Sequence, residues 1–323
     1  MTGCSQRSLT RLGLRVLTPA LVWAATVHAL AFAGSSAATK PAASASMNAS
    51  ADTTAHRSVG AHRIVSLNGQ ITEILFALGA GPQVVGVDLS STYPPEAQKL
   101  PKVGYQRTLS SEGVLALEPE LVVGNDEAGP PNVIEALRAT RTRVAIVTGA
   151  SGVDSARARI REVAAVLGQR SRGEALVSKL DRELADAQQR VAKAHSTPSV
   201  LFVFARGAGS VFVSGRGTPA DDIIRLAGGH NAVTGFDGFK PLTAEAAAAS
   251  GADVIVVPDG SLESLGGIDA LLALPGLSMT PAGRDKRVVH LDTQYLLGFG
   301  PRCGMAVSDL ASALHPELAP TRP

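Results

Sequence analysis

Residues 171–195 read SRGEALVSKLDRELADAQQRVAKAH, with Leu176, Leu180, Leu184, Ala187 and Val191 spaced by four, four, three and four. That spacing lays one apolar stripe along an α-helix of about 3.6 residues per turn. No proline interrupts it, and no glycine follows Gly173. The stretch therefore predicts one long helix, which behaves as a strut rather than a hinge. What the strut joins decides the fold.

Upstream, RIVSL (63–67) is a compact β-branched run, and QITEILFALGAG (70–81) follows with Ile71, Ile74, Leu75 and Leu78 on one helical face and Gly79 as a stop. QVVGV, ELVVG and RVAIV repeat the strand signal, with NVIEALRAT and ARARIREVAAVLG as helical intervals. Downstream, SVLFVFA, VFVSG, DVIVV and RVVHL are strands, and DDIIRLAGG and the segment from Leu242 to Ser250 are helices. Strands alternating with helices give parallel sheets covered on their faces. The fold class is α/β: two pseudo-symmetric lobes, each a small mostly parallel sheet flanked by helices, joined by one long rigid helix. The expected lobes are 61–170 and 196–316, with the connecting helix over 171–195. Clefts between lobes are favoured places for ligands. One internal match supports the pseudo-symmetry: Glu112 opens EGVLALEPELVV and Glu245 opens EAAAASGADVIVV, each nine residues ahead of the first apolar residue of a buried strand.

The ends are different material. Arg7, Arg11 and Arg15 lead into VLTPALVWAATVHALAFA, which closes on Ala31-Phe32-Ala33. A basic segment, an apolar segment and a small-residue exit make a secretory signal peptide over 1–33. A membrane anchor is the alternative; Pro19 and His28 weaken a run already marginal for a span of roughly 20 residues. Residues 34–60 are rich in Ala, Ser and Thr and read as a flexible leader, and 317–323 as a loose tail. Of the two cysteines, Cys4 lies in the signal. The mature chain keeps Cys303 alone, so burial rather than a disulfide must stabilise it outside the cytosol. The formal net charge is +2, with both signs interspersed, which gives no basic stripe for nucleic acid.

The catalytic signatures searched for do not occur: no G-x-S-x-G elbow, phosphate-binding loop, H-E-x-x-H or C-x-x-C. An enzyme, such as a secreted hydrolase, is the weaker class. His62, His195, His230, His290 and His315 are scattered rather than set at metal-ligand spacing, and read as solvated or packed side chains.

RIVSLNGQITEILFALGAG, DLSSTYPP, LPKVGYQRTLSSEGVLALEPELVVG, and later GFKPLTAEA, LESLGGIDALLALPGL and LLGFGPR are the segments that carry a resemblance. From about residue 61 to 315 the chain resembles the periplasmic haemin-binding components of bacterial haem ABC transporters. The two-lobed scaffold is shared with carriers of cobalamin and ferric siderophores, which are the alternatives within the class. A corrinoid carrier is expected to rely on tryptophan, and the sole tryptophan, Trp23, lies in the signal.

The resemblance implies haem as transported ligand and places its axial ligand on Tyr105, in VGYQR. On its residues alone, Tyr105 reads first as a packing tyrosine in a loop. The chemistry fits: ferric iron is a hard Lewis acid and phenolate a hard anionic oxygen donor. Free tyrosine titrates at about pH 10, so the metal's charge must promote ionisation, and a neighbouring cation adds to it. Arg107 is that cation, a partner for a haem propionate, or a solvated arginine. By position in the resemblance, Phe212, Arg216, Phe239 and Lys240 face the cleft from the second lobe, with Tyr295 and Arg302 close by; core packing for the phenylalanines and surface exposure for the cations are the alternatives. Tyr93, before two prolines, is expected to shape a turn. With three tyrosines and eight phenylalanines in all, the chain has little stacking surface for a second haem, and one is expected.

The resemblance further implies that a monomer delivers haem to an inner-membrane ABC permease dimer with its ATPase. Glu112 and Glu245 match the positions that dock against the two permease subunits. As helix-start carboxylates they also suit the positive end of a helix without any partner.

Overall fold

A computed structural model describes residues 61–318 of the chain. The expected signal peptide and leader, and residues 319–323 of the tail, lie outside the described residues. RIVSL contributes β1 (Ile64–Leu67), all of it buried. Asn68 then caps α1 (Gly69–Ala77) by accepting from the Gln70 amide at 2.8 Å. Gly79, at φ 81°, turns the chain away after α1 in a left-handed conformation that a side chain would resist. There follow β2 (Val84–Val87), α2 (Pro95–Gln98), α3 (Ser111–Leu115), β3 (Leu121–Asn125), α4 (Pro131–Arg138), β4 (Arg143–Val147) and α5 (Val153–Val166). The sheet of this first lobe has the order β2-β1-β3-β4, and every pairing is parallel.

The long helix is α6 (Arg170–Val191), 22 residues without a break. Its buried face is Gly173, Val177, Leu180, Leu184 and Ala187. Val177 replaces the expected Leu176, which is half-buried, so the stripe is rotated slightly from the one read off the leucines.

The second lobe contains β5 (Ser199–Ala205), β6 (Val211–Ser214), α7 (Pro219–Leu226), β7 (His230–Asn231), β8 (Phe239–Pro241), α8 (Ala244–Ala249), β9 (Val254–Pro258), α9 (Asp259–Leu265), α10 (Ile268–Leu272), α11 (Pro281–Arg284), β10 (Val288–Leu291), α12 (Thr293–Leu297) and α13 (Cys303–Leu314). Here β10, β9, β5 and β7 pair in parallel. β6 runs antiparallel to β5, and β8 antiparallel to β6. The cause is local: residues 206–210, RGAGS, make too short a link for the crossover that a parallel pair needs, so the chain must fold back as a hairpin.

Each sheet is covered on both faces, as parallel strands require. One buried cluster lies under the first sheet, with Val65, Leu67, Val122 and Leu137. Another lies under the second, with Leu201, Val203, Ile255 and Val257. The largest cluster joins the lobes: Ile71 and Ile74 of α1, Ile160 of α5, Leu180 and Leu184 of α6, Phe202 of β5 and Leu310 of α13 share one core. Leu180 is fully buried there, and its truncation to alanine costs about 2–5 kcal/mol.

Candidate functional site

The carboxyl ends of the parallel strands of both lobes open onto one cleft, the position at which α/β sheets hold ligands. Its cavity is about 830 Å³. The first lobe contributes Asn68 and Gly69 beyond β1, Ser90 and Thr92 beyond β2, the Tyr105–Gln106 loop, and Glu127 beyond β3. The second contributes Asp259, Gly260 and Glu263 of α9, and Asp292 to Gln294 at the start of α12. A further cavity of about 560 Å³ lies beside α6. Arg157 and Arg225 there are satisfied by Asp154, Asp181 and Asp222, so its charges are already matched.

Tyr105 lines the larger cleft and is 37% exposed. Among the described residues its hydroxyl has no hydrogen-bond partner, while the loop that carries it is firmly held. Gly104, at φ 97°, makes the turn into it. Thr108 N–H donates to the Tyr105 carbonyl at 2.8 Å, and Gly129 N–H to the Gln106 carbonyl at 2.8 Å. The buried Gln106 side chain accepts from Asn68 Nδ2 at 2.8 Å and donates to Glu127 Oε2 at 3.2 Å. The backbone is thus immobilised from two neighbouring strands, and a phenol is left facing the cavity.

Arg107 is exposed and ion-paired with Glu127. Its charge is partly neutralised by the protein. The sequence pattern misses Glu127, because a lone glutamate in NDEAG carries no signal until the fold sets it beside the tyrosine loop. It also misses Gln294, Asp259, Glu263 and Asp292, all of which line the cleft.

Phe212, Arg216, Phe239 and Lys240, expected to face the cleft, are not among the residues that line its cavity. Phe212 pairs with Phe204 across β5 and β6, and Phe239 with Ser214 across β6 and β8. Opposed residues of antiparallel strands share a face, so Phe204, Phe212 and Phe239 stand on the same side. Phe239 remains 42% exposed, its ring 6.5 Å from that of Phe202 and 6.3 Å from that of Phe204. Lys240, the next residue, is on the opposite face, its Nζ 4.7 Å from the centre of the Phe236 ring. Arg216 is exposed and bonds Asp237 at 2.9 Å.

Tyr295 and Arg302, expected close to the ligand, have their polar groups held by protein partners. Arg302 is bound in a fork by Glu73 of α1, Nε to Oε1 at 2.9 Å and Nη2 to Oε2 at 3.0 Å. Its guanidinium lies 3.5 Å from the centre of the Tyr93 ring and 4.8 Å from that of Tyr295. Tyr295 donates its hydroxyl to Asp309 at 2.7 Å, and burial together with that carboxylate pushes its pKa up. A phenol so held is a poor source of phenolate. The buried Glu73, 5% exposed, needs a cation and finds it in Arg302. Tyr93 accordingly does more than shape a turn: it covers that ion pair.

Of the histidines, His315 is fully buried, and His290 bonds Asp259 through Nδ1 at 2.7 Å. Glu112 and Glu245 are both exposed, and their surroundings match closely. Glu112 is in the first turn of α3, capped by Ser110, which accepts from Gly113 N–H; Glu245 is in the first turn of α8, capped by Thr243, which accepts from Ala246 N–H. Each helix leads into a buried strand, β3 or β9.

The model of the periplasmic binding protein family matches residues 64–295. The chain belongs to this family. Among solved structures, this periplasmic binding protein is similar to the periplasmic heme-binding protein RhuT from Roseiflexus sp. RS-1 in apo form, at 48% identity and TM-score 0.77, covering 80% of this chain and 100% of that one. It is similar also to the periplasmic heme-binding protein BhuT in complex with two hemes, at 44% identity and TM-score 0.75, covering 80% and 99%. Among curated proteins, an uncharacterized ABC transporter substrate-binding lipoprotein, YvrC of Bacillus subtilis, is 28% identical over 79% of this chain and 80% of its own length.

Proposed function

We propose that this protein captures haem in the cleft between its lobes, outside the cytoplasm, and delivers it to an inner-membrane ABC permease. The observation that carries the reading is Tyr105: a phenol aimed into the cleft, without a protein partner among the described residues, on a loop fixed from both sides. The two heme-binding relatives, similar over four-fifths of the chain, support haem as the cargo. Tyr105 ligates the iron as phenolate, and the ferric charge drives its ionisation, since Arg107 is already matched by Glu127. Phe212 and Phe239 supply an apolar wall from the second lobe. Of the cations there, Lys240 is exposed with no carboxylate partner among the described residues, and the exposed Arg216 would exchange its pair with Asp237 for a propionate. Tyr295 and Arg302 are left out of the ligand set because their polar atoms are committed elsewhere.

Uptake and release require only that the ligand bind the free and permease-docked states differently, so no catalysis is involved. Glu112 and Glu245 are the docking residues, one on each lobe, and one chain suffices. A cleaved signal peptide accounts for export, and with Trp23 in that segment no tryptophan is left to favour a corrinoid.

Haemin titrated into the mature protein tests this reading. The expected result is a one-to-one complex with a high-spin ferric, tyrosinate-type visible spectrum. An end point at two equivalents would overturn the stoichiometry, and a colourless protein that takes up cobalamin instead would overturn the reading.

A further inference from the structure

Among the described residues, hydrogen bonds between the lobes converge on one short stretch, residues 292–302. Gln294 is the first. Its Nε2 donates to the Gly69 carbonyl at 2.8 Å and to Glu73 Oε2 at 3.2 Å, and its Oε1 accepts from Thr92 Oγ1 at 3.1 Å. The seat is close enough to require glycine: a Cβ on Gly69 would stand 2.5 Å from Gln294 Oε1 and 2.5 Å from the Ser90 carbonyl. The second contact is the Phe299 carbonyl, which accepts at 3.2 Å from Arg159, a fully buried arginine that also holds the Thr148 and Ala150 carbonyls. Phe299 itself is buried at φ 46°, a left-handed backbone that a phenylalanine adopts only when its surroundings impose it. The third is the Arg302–Glu73 fork between the Tyr93 and Tyr295 rings.

These ties have two outlets. Gln294, Leu297 and Gly298 line the ligand cleft, whereas Arg302, Glu73 and Tyr93 line a separate outer cavity of about 350 Å³. A buried, forked ion pair is an uneconomical way to gain stability, because the desolvation of both charges offsets most of their attraction. It is an effective way to fix one geometry, since neither partner tolerates separation from the other.

We propose that residues 292–302 form a clasp that sets the aperture of the cleft, with Gln294, Arg302 and Glu73 as positioning residues for the bound ligand; the ligand part of the proposal rests on the haem reading above. The clasp holds the second lobe against α1 and the residues beyond β2, so the cleft walls keep their separation whether or not the cleft is filled. Loosening it lets the ligand leave faster without touching the iron ligand.

The test places nitroxide labels on the exposed positions Glu135→Cys of the first lobe and Asp269→Cys of the second, the native Cys303 being buried and unreactive. Inter-label distances are then compared in the parent, Gln294→Ala, Arg302→Met and the paired replacement Glu73→Leu/Arg302→Leu, which removes both charges together. The parent should give one narrow distribution. Gln294→Ala and Arg302→Met should broaden or shift it, and should raise the haem off-rate at least about threefold with the spectrum of the bound haem unchanged. The paired replacement should fold and show the same widening, which covers the case in which Arg302→Met leaves Glu73 buried without a partner and fails to fold. Unchanged distributions in Gln294→Ala and the paired replacement overturn the clasp, even if thermal stability falls. If the parent binds no haem, the haem reading fails, and the distances still decide the clasp.

Discussion

The two lobes share a plan and differ in what they present to the cleft. The first lobe is wholly parallel, and its loops are stitched together by side chains: Asn68 to Gln106, Gln106 to Glu127, Glu127 to Arg107. It offers one phenol on an immobile backbone. The second lobe interrupts its parallel sheet with the β6-β8 ribbon, which brings Phe204, Phe212 and Phe239 onto one face. What it turns to the cleft cavity itself is largely polar, Asp259, Glu263, Asp292 and Gln294, and the phenylalanine face is the apolar wall proposed for the haem. Coordination needs a fixed atom and hydrophobic contact needs area, so under the proposed function specificity falls to the first lobe and retention to the second.

Outside the cleft the lobes should be equivalent, and the largest effect is expected there. Charge reversal at both docking positions, Glu112→Lys with Glu245→Lys, should abolish haem delivery and stimulated ATP hydrolysis in a reconstituted transporter while haem binding stays intact. Loss of one partner of such a pair costs about 2–5 kcal/mol. Transport at the parental rate would show that the two capped helix starts are only solvated. Inside the cleft the lobes should be unequal. Phe239→Ala removes half-exposed wall and should weaken haem binding by about 1–2 kcal/mol, read as a faster off-rate with an unchanged visible spectrum. A changed spectrum would mean that the second lobe reaches the iron. Arg107→Ala should matter least, under about 1 kcal/mol in haem affinity, because the pair with Glu127 is exposed and already neutralises the cation. A larger loss would show that Arg107 leaves Glu127 for the ligand.

The same contrast explains what was legible in the sequence. Periodicity carried the strands, the long helix and the two lobes, because burial imposes spacing directly on the chain. The sequence reading of a mostly parallel sheet did not include the antiparallel β5-β6 pair, although the short RGAGS link forces it. Tyr105, which lines the cleft, was singled out through the resemblance of VGYQR, not through any periodicity. The pairing of Arg302 was not legible: an arginine next to a Gly-Phe-Gly-Pro turn looks like a surface cation, and its partner Glu73 sits 229 residues away on α1. Burial of that glutamate, and the stacking of Tyr93 and Tyr295 around the pair, arise only from tertiary packing. Gln294 escaped notice for the same cause, since its work is done on the backbone of the other lobe.

The proposed iron–phenolate bond of Tyr105 is the feature most directly open to test. Tyr105→Phe keeps the ring and removes the oxygen, on a loop whose anchors are Gln106 and Gly104 rather than the hydroxyl. Thermal stability should therefore hardly change. Stopped-flow transfer of haem from this variant to an excess of a haem acceptor should show an off-rate about 100-fold above the parent, equivalent to about 2.8 kcal/mol, with loss of the tyrosinate-type spectrum. An off-rate and spectrum matching the parent would contradict the account and place the ligand elsewhere in the cleft.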